Sequence, residues 1–295
     1  MKLHHEHPTP HLLRDVTLRD GLQSVPEILT TDEKMEIFER LVDAGVKDFQ
    51  LTSFVNPARI PQLADAEEFY ARASKRGVHV AALVANLKGF ERAVAAGVKV
   101  IDAVLSASEN YNKKNAARTT EESAAEIEIM LSRAAHAGAA VDISLANSYH
   151  CFAEGDIDPE RVLKLVKWFH DAGARTIWLS DTTGHAEPDA VAALVEKTCH
   201  IGVETGMHLH DTLGRAGENA LAAYKAGARR FDVVLGGLGG SPFTPGVGGN
   251  ISLETAHTVF TEAAIPTGID ESKLFEARSV FNSAMTAAHS RMAHS

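Results

Sequence analysis

A recurring join between helix-like and strand-like segments constrains this chain more than any other feature of its sequence. At each join an alanine-rich, helical stretch reaches a glycine, and a short run of β-branched or apolar residues follows. Glycine just past a helix end adopts the left-handed conformation that closes the last turn, and short apolar runs are typical of buried strands. Seven such joins occur, and they lie at Gly45, Gly77, Gly97, Gly138, Gly173, around Gly206 and at Gly227.

These joins predict an α/β protein with a TIM (β/α)8 barrel and extra C-terminal helices. Together with the opening run LLRDVTL near residue 12, they give eight strands separated by helices. Eight such units over about 250 residues are the usual content of a TIM barrel. We therefore expect a single catalytic domain over residues 1–295, with the barrel at about 12–262 and a helical segment at about 263–295. An apolar periodicity from Glu271 to about Met292 indicates one or two helices in that last segment.

Composition and charge argue against several classes of protein. The net charge of −10 does not favour a nucleic acid or an anionic membrane as a partner. The two cysteines, Cys151 and Cys199, are too few for a disulfide framework and fit a reducing compartment. No apolar stretch reaches membrane-spanning length, and the first residues lack the hydrophobic core of a signal peptide. We expect a cytoplasmic enzyme or binding protein.

Polar residues collect at the predicted C-terminal ends of the strands, which is where the active sites of TIM barrels form. These strand ends are TLRDGLQ (17–23), QLTS (50–53), SASE (106–109), Asn147 with Tyr149, SDTT (180–183), His208 with His210, and the loop GGLGGSPFTPGVGGN (236–250). Three of these ends carry ionisable groups, in the motifs Arg-Asp, Asp-Thr-Thr and His-x-His. A rim that is merely exposed to solvent does not require them, so they indicate a functional site at this end of the barrel.

The His-x-His pair predicts part of a metal site. Residues two apart in a strand project from the same face, so His208 and His210 can meet one ion. In isolation such a pair is more often two ordinary polar residues, but Asp20 adds a carboxylate, and there is room for an amide oxygen such as that of Asn250. Without a thiolate, this donor set favours a six-coordinate divalent cation, for which we consider Mg, Mn, Zn, Co and Fe.

Arg19 stands next to Asp20 and supplies a permanent positive charge. Such a cation can stabilise an enolate or carbonyl oxygen as negative charge develops on it. The alternative is a structural ion pair with Asp15 or Asp181.

Several segments, in register from Leu12 to the tail, resemble the 3-hydroxy-3-methylglutaryl-CoA lyase family. This family belongs to the metal-dependent TIM-barrel lyases and aldolases with a pyruvate carboxyltransferase-type domain. The combination of TSFVNP with IPQ, SASE with KKN, and GGSP with GGN is specific to the lyase branch. The matching segments are RDGLQSVPEILTTDEK, TSFVNPARIPQ, SASENYNKKN, SDTTG, HLHDTLGRA and GLGGSPFTPGVGGN.

The resemblance implies roles for individual residues. Asp20, His208, His210 and Asn250 would hold the divalent cation, with Mg or Mn expected first, and Arg19 would steady the substrate carbonyl and the enolate. Asp181 would stand near the metal and the reacting groups. Contacts with the substrate or its coenzyme A moiety are expected from Gln50, Ser53, Asn112, Lys113, Lys114, Asn115 and Thr183.

The reaction that the resemblance implies is retro-aldol cleavage of a β-hydroxy acyl-CoA or a related hydroxy acid. Two positions depart from the family pattern: Ser241 replaces a cysteine that acts in proton transfer, and Gln50 replaces a glutamate. Because both changes remove an ionisable group, we expect a related hydroxy-acyl substrate, with Ser241 as the catalytic candidate in the loop. The alternatives are a condensing enzyme, a 4-hydroxy-2-oxo acid aldolase, or a weakly active relative that binds a metal and an acyl ligand. The family further implies a homodimer.

Overall fold

The computed structural model describes residues 11–240 and 248–294. The strands in this part of the chain are β1 (Leu13–Asp15), β2 (Asp48–Ser53), β3 (His79–Val84), β4 (Val100–Ser106), β5 (Ala140–Ala146), β6 (His150–Cys151), β7 (Gly155–Asp156), β8 (Thr176–Asp181), β9 (Glu204–Leu209) and β10 (Arg230–Val233). Eight of them close into a parallel barrel in the order β1-β10-β9-β8-β5-β4-β3-β2, while β6 and β7 form an antiparallel hairpin beyond β5. The predicted TIM barrel is confirmed.

At least one helix lies between each two consecutive strands of the barrel in the described ranges. The helices of this part of the chain are α1 (Thr31–Asp43), α2 (Ala66–Ala73), α3 (Leu87–Ala95), α4 (Glu109–Ala116), α5 (Thr120–Ala137), α6 (Pro159–Asp171), α7 (Pro188–Ile201), α8 (Ala216–Ala226), α9 (Leu253–Glu262) and α10 (Glu271–Ala293). Local sequence determines where α1 and α5 begin. Thr30 and Thr119 cap them, and Glu33 and Glu122 close reciprocal capping boxes that satisfy the first free N–H groups.

One predicted join lies at a different glycine. Helix α7 ends at Gly202, whose φ of 101° closes the turn, whereas Gly206 lies inside β9. Gly206 has a packing role instead: a Cβ atom there would lie 2.5 Å from Cε3 of the buried Trp178. The glycine that ends this helix is therefore Gly202, and Gly206 makes room for the Trp178 ring.

The predicted C-terminal helical segment contains one long helix, α10, which packs against α1. Its apolar side buries Leu274 and Phe281, and Arg291 pairs with Glu33 at 2.8 Å. No helix in the described ranges is both long enough and apolar enough to cross a membrane.

Candidate active site

A π-helical turn after β1 provides the first part of the site. The turn spans Thr17–Gly21 and carries Arg19 and Asp20, both of which are buried. The Asp15 carboxylate anchors it by accepting the Thr17 N–H at 3.0 Å and the Thr17 hydroxyl at 2.7 Å. Burial raises the pKa of Asp15 to about 7, even though these two bonds act against the shift. Turns of this kind are rare and often occur at functional sites.

Asp20, His208 and His210 converge at the C-terminal end of the barrel. The Nε2 atoms of the two histidines are 3.3 Å apart, and His208 Nε2 lies 3.9 Å from Asp20 Oδ2. One potential ligand atom from each residue lies within 4.8 Å of the other two, and the described part of the chain has no second group of this kind. The fold thus assembles the donor set predicted from the sequence.

Asn250 adds an amide oxygen to this cluster. It forms an isolated β-bridge with His210, and its Nδ2 donates to Asp20 Oδ2 at 2.7 Å and to the Leu238 carbonyl at 3.1 Å. Its Oδ1 is buried and has no hydrogen-bond partner among the described residues. Because buried polar oxygens are normally paired, an unpaired one on a residue that contacts Asp20 and bridges to His210 fits a bound cation.

The electrostatics of the cluster favour the protonation states that bind a metal. Burial acts to raise the pKa of Asp20, but Arg19 and the two histidines outweigh it and lower that pKa to about 2. Burial lowers the pKa of His210 to about 3, and His208 acts in the same direction. At neutral pH the cluster therefore offers a carboxylate and a neutral imidazole, which are the coordinating forms. Oxygen and imidazole donors together suit Mg, Mn, Zn, Co and Fe.

Arg19 lies against this cluster. Its Nη1 contacts Asp20 Oδ1, which also accepts a hydrogen bond from Gln23 Nε2 at 2.7 Å. Its Nε is buried and has no hydrogen-bond partner in the described ranges. The ion pair of Arg19 is with Asp20, and neither Asp15 nor Asp181 pairs with it in the described structure. A donor thus remains available beside the cluster.

Asp232, which no sequence pattern singled out, lies directly behind His208. Its Oδ2 is 2.9 Å from His208 Nδ1, and Arg14 donates to both of its carboxylate oxygens. Burial acts to raise the pKa of Asp232, but Arg14 holds it below its ordinary value. The signal for this contact is the register of three neighbouring strands, which local periodicity does not reveal.

The cluster lies in a cavity of about 600 Å³ at the C-terminal end of the barrel. Part of the wall is apolar and is formed by Val55, Ile60, Leu83 and Val104. Besides Arg19, the cations Arg59, Lys114 and Arg118 also line the cavity. Arg118 pairs with Glu126, whereas Arg59 and Lys114 have no ion pair among the described residues. The cavity therefore combines an apolar wall with positive charge that is available to an anionic ligand.

The predicted lysine-containing loop is largely helical, because α4 covers it. Lys114 and Asn115 line the cavity as predicted. Lys113 is exposed, pairs with Glu109 at 3.0 Å and is not among the described residues that line the cavity. Of the two neighbouring lysines, only Lys114 is in a position to meet a ligand in this cavity.

Asn112 has a structural role in place of the predicted contact with coenzyme A. It is buried, and its Oδ1 accepts the Ser106 N–H at 3.0 Å. Its Nδ2 donates to the Arg118 and Thr119 carbonyls and to the Ser123 hydroxyl at 3.1, 2.9 and 2.7 Å. The amide thus joins the end of β4 to the start of α5 and has no free donor for a ligand.

The end of β8 presents different residues from those predicted. Ser180 and Thr182 line the cavity, whereas Asp181 and Thr183 are buried without lining it. The Asp181 carboxylate accepts the backbone N–H groups of residues 185 and 186 at 3.2 and 3.0 Å, and burial raises its pKa. Alternation of side chains along a strand explains this arrangement. The structure therefore does not bring the Asp181 or Thr183 side chain into the cavity.

Gln50 and Ser53 are buried on β2 and are not among the described residues that line the cavity. Gln50 Nε2 donates to Asp102, which also accepts from Arg14 Nη1 at 2.8 Å. The Ser53 hydroxyl has no hydrogen-bond partner in the described part of the chain. Because Gln50 is engaged inside the barrel, the structure does not support its predicted contact with the substrate.

The glycine-rich loop is described only at its two ends, and Ser241, the predicted catalytic residue of the loop, lies outside the described residues. Gly239, at the near end, has a φ of 102°, and a Cβ atom there would lie 2.1 Å from Asn250 Nδ2 and 3.1 Å from Asp20 Oδ2. Only glycine accommodates both the left-handed backbone and this close approach. The loop after β10 therefore begins in close contact with Asn250 and Asp20.

Known proteins resemble this chain in both sequence and fold. A family model described as HMGL-like matches residues 11–281. The chain belongs to the HMGL-like family. Among curated relatives, the (R)-citramalyl-CoA lyase of Chloroflexus aurantiacus is 38% identical over 276 residues, covering 89% of this chain and 87% of the relative. The mitochondrial hydroxymethylglutaryl-CoA lyase of Homo sapiens is 35% identical over 268 residues, covering 89% and 82%.

A solved structure shares both the fold and the family. It is an HMG-CoA lyase from Acinetobacter baumannii in complex with coenzyme A and 3-methylmalate, with a TM-score of 0.88 and 34% identity. The match covers 93% of this HMGL-like chain and 91% of that one. The resemblance inferred from the sequence motifs is confirmed.

Proposed function

We propose that this HMGL-like protein is a divalent-metal-dependent carbon–carbon lyase that cleaves a β-hydroxy acyl-CoA thioester. The observation that carries the proposal is the cluster of Asp20, His208 and His210, whose potential ligand atoms lie within 4.8 Å of one another in the cavity wall. Asn250 contacts Asp20 and has a buried amide oxygen without a hydrogen-bond partner among the described residues. Membership of the HMGL-like family and the two curated lyases support the same reaction.

The relatives suggest the substrate class. The substrates named for them, (R)-citramalyl-CoA and hydroxymethylglutaryl-CoA, are both CoA thioesters with a tertiary β-hydroxyl and a terminal carboxylate. These two substrates differ by one methylene group. We therefore assign to this protein the substrate class that they share, CoA thioesters with a tertiary β-hydroxyl and a terminal carboxylate. The unpaired Arg59 and Lys114 in the cavity wall suit the phosphates or carboxylate of such a ligand, because both are cationic donors to oxyanions.

Different residues of the site would carry out different steps of a retro-aldol cleavage. A divalent cation held by Asp20, His208, His210 and Asn250, with Mg or Mn expected, would lower the pKa of the substrate hydroxyl and orient the bond to be broken. Asp20 is the candidate to accept the hydroxyl proton, and the predicted role of His208 as that base would require its Nε2 to be free of the cation. The bond between the α and β carbons then breaks, its electron pair passes to the α carbon, and the β carbon becomes a ketone.

Arg19 has its role after the bond breaks. Its guanidinium stabilises the negative charge on the thioester enolate oxygen, because a fixed cation in a buried site interacts strongly with developing charge. Return of one proton to the α carbon then releases acetyl-CoA and completes the reaction. Ser241, at the position of the family cysteine, stays a prediction as the donor of that proton. The cytoplasmic location and the homodimer also stay predictions.

The test is acetyl-CoA release from hydroxymethylglutaryl-CoA and from (R)-citramalyl-CoA, each with Mg²⁺ or Mn²⁺. We expect release from at least one thioester by the wild-type protein, and a metal-dependent rate. His208→Ala removes a donor, so its loss of rate should exceed the roughly 10- to 100-fold that removal of an outer-shell partner costs. His200→Ala is the matched control, because this histidine is exposed on α7. A wild-type protein that binds Mn²⁺ but cleaves neither thioester would refute the proposed class.

A further inference from the structure

Three residues on adjacent strands connect the barrel interior to the metal-binding cluster. Arg14 on β1 is in register with Asp232 on β10, and Asp232 is in register with His208 on β9. Arg14 Nε donates to Asp232 Oδ1 at 2.6 Å, and its Nη2 donates to Oδ2 at 3.1 Å. The same Oδ2 lies 2.9 Å from His208 Nδ1. The carboxylate therefore joins a guanidinium on one side to an imidazole on the other.

Arg14 is itself held in place. It has no solvent exposure, and its Nη1 donates to Asp102 at 2.8 Å. Its guanidinium carbon lies 3.3 Å from the ring centroid of Trp178, a cation–π contact. With all these contacts, Arg14 presents Asp232 with a fixed pair of donors.

We propose that Asp232, anchored by Arg14, is a positioning residue that sets the tautomer of His208. Beside a guanidinium the Asp232 carboxylate is ionised and only accepts hydrogen bonds, so His208 must carry its proton on Nδ1. The lone pair of the imidazole is then on Nε2, the atom that lies 3.3 Å from His210 Nε2 and 3.9 Å from Asp20 Oδ2. The inference rests on the proposed metal-dependent function, because Asp232 would act through His208, a ligand of the proposed cation.

The same geometry predicts the effect of an isosteric change. In Asp232→Asn, Arg14 offers only donors, so the amide oxygen turns towards its Nε, the closer of the two donors. The amide nitrogen then faces His208 Nδ1 and donates to it. That reversal moves the imidazole proton to Nε2, where it blocks coordination. A metal-binding histidine that loses the hydrogen-bond partner of its other ring nitrogen typically gives a metal affinity that is lower by about 10- to 100-fold.

Asp102→Asn is the matched control. Asp102 also pairs with Arg14 and is also fully buried, but it makes no hydrogen bond to His208 in the described structure. Both substitutions remove one carboxylate from Arg14, so both should lower the unfolding midpoint. Only Asp232→Asn should act on His208.

The experiment combines two readouts on the full-length protein. Nitrogen-15 spectra of the metal-free, histidine-labelled protein identify the tautomer of His208, whose signals are assigned by their absence in His208→Ala. Calorimetric titration with Mn²⁺ gives the metal affinity. We expect an Nδ1–H tautomer in the wild type, an Nε2–H tautomer with a 10- to 100-fold weaker Mn²⁺ affinity in Asp232→Asn, and neither change in Asp102→Asn.

Two results would overturn the inference. One is a wild-type His208 protonated on Nε2, which decides the question even if Asp232→Asn does not fold. The other is an equal loss of Mn²⁺ affinity in both variants, which would mean general loosening of the barrel. A wild type with the Nδ1–H tautomer and high Mn²⁺ affinity but no lyase activity would refute the proposed function and support the inference.

Discussion

Replacing Gly206 by alanine tests the packing beneath the cluster of Asp20, His208 and His210. Gly206 lies on β9, two residues before His208. A Cβ atom there would lie 2.5, 2.6 and 2.8 Å from three carbons of the Trp178 ring. Because non-bonded carbons settle at about 3.5–4.0 Å, the ring or the strand must move by about 1 Å. Trp178 has no solvent exposure and lies under Arg14, so the structure offers it no open space.

The expected magnitude follows from two opposing contributions. Overpacking a close-packed interior costs about 1–3 kcal/mol. Removing a glycine also restricts the unfolded chain, which returns about 0.4–1 kcal/mol where the backbone conformation suits alanine. The net loss in the free energy of unfolding is therefore about 1–2 kcal/mol. With an unfolding entropy of about 2.1 cal/mol/K per residue, the Tm should fall by about 1.5–3 °C.

Urea unfolding at equilibrium and scanning calorimetry measure this loss. Gly21→Ala is the control, because a Cβ atom there would meet only ordinary contacts at 3.7 and 3.8 Å. The control should keep or slightly raise stability, since only the restriction of the unfolded chain applies. If Gly206→Ala is as stable as the wild type, or if both variants lose stability equally, the close packing of Trp178 on β9 is refuted.

Three further predictions concern Asn112, Asp15 and Ser241. Asn112→Ala should lower the free energy of unfolding by about 2–4 kcal/mol, because it leaves buried backbone groups unpaired. The KM for the CoA thioester should stay unchanged. A raised KM at normal stability would instead indicate a ligand contact. Asp15 has a folded-state pKa of about 7, above its ordinary value of 3.8, so its ionisation opposes folding. The free energy of unfolding should therefore fall as the pH rises from about 4 to about 7, and Asp15→Asn should flatten that slope in urea titrations; an unchanged slope would contradict the raised pKa. Ser241→Cys should speed acetyl-CoA release, because a thiol with a pKa near 8.5 is a far better proton donor than a hydroxyl; an unchanged rate would assign the proton transfer to another group.

Sequence patterns predicted the donors of the cluster but not all of the side chains around it. Asp20, His208, His210 and Asn250 come together as expected, because they lie at or beyond the C-terminal ends of strands that close into one barrel. At the end of β8, the sequence predicted that Asp181 and Thr183 face the ligand, whereas Ser180 and Thr182 line the cavity. The motif SDTT alone does not show which of these two pairs points inward. A shift of one residue sends every side chain of a strand to the opposite face.

Asn112 and Gly206 show the same limit in the helices and the barrel interior. The motif around Asn112 marks a position near the cavity, but the partners of its amide come from the end of β4 and the start of α5. Gly206 has the local pattern of a helix-terminating glycine, yet its neighbour is Trp178 on another strand. In both cases the deciding contact is with a segment that local sequence does not identify.

The sequence by itself determined the alternating architecture, the C-terminal helix and the residue types of the candidate metal-binding cluster, Asp20, His208, His210 and Asn250. Helix termination by glycine and two-residue alternation in strands are local properties, so they can be read from neighbouring residues. Only the tertiary structure decided that Arg14, Asp232 and His208 are aligned across three strands. That alignment depends on barrel closure, which pairs β1 with β10 although they are about 200 residues apart.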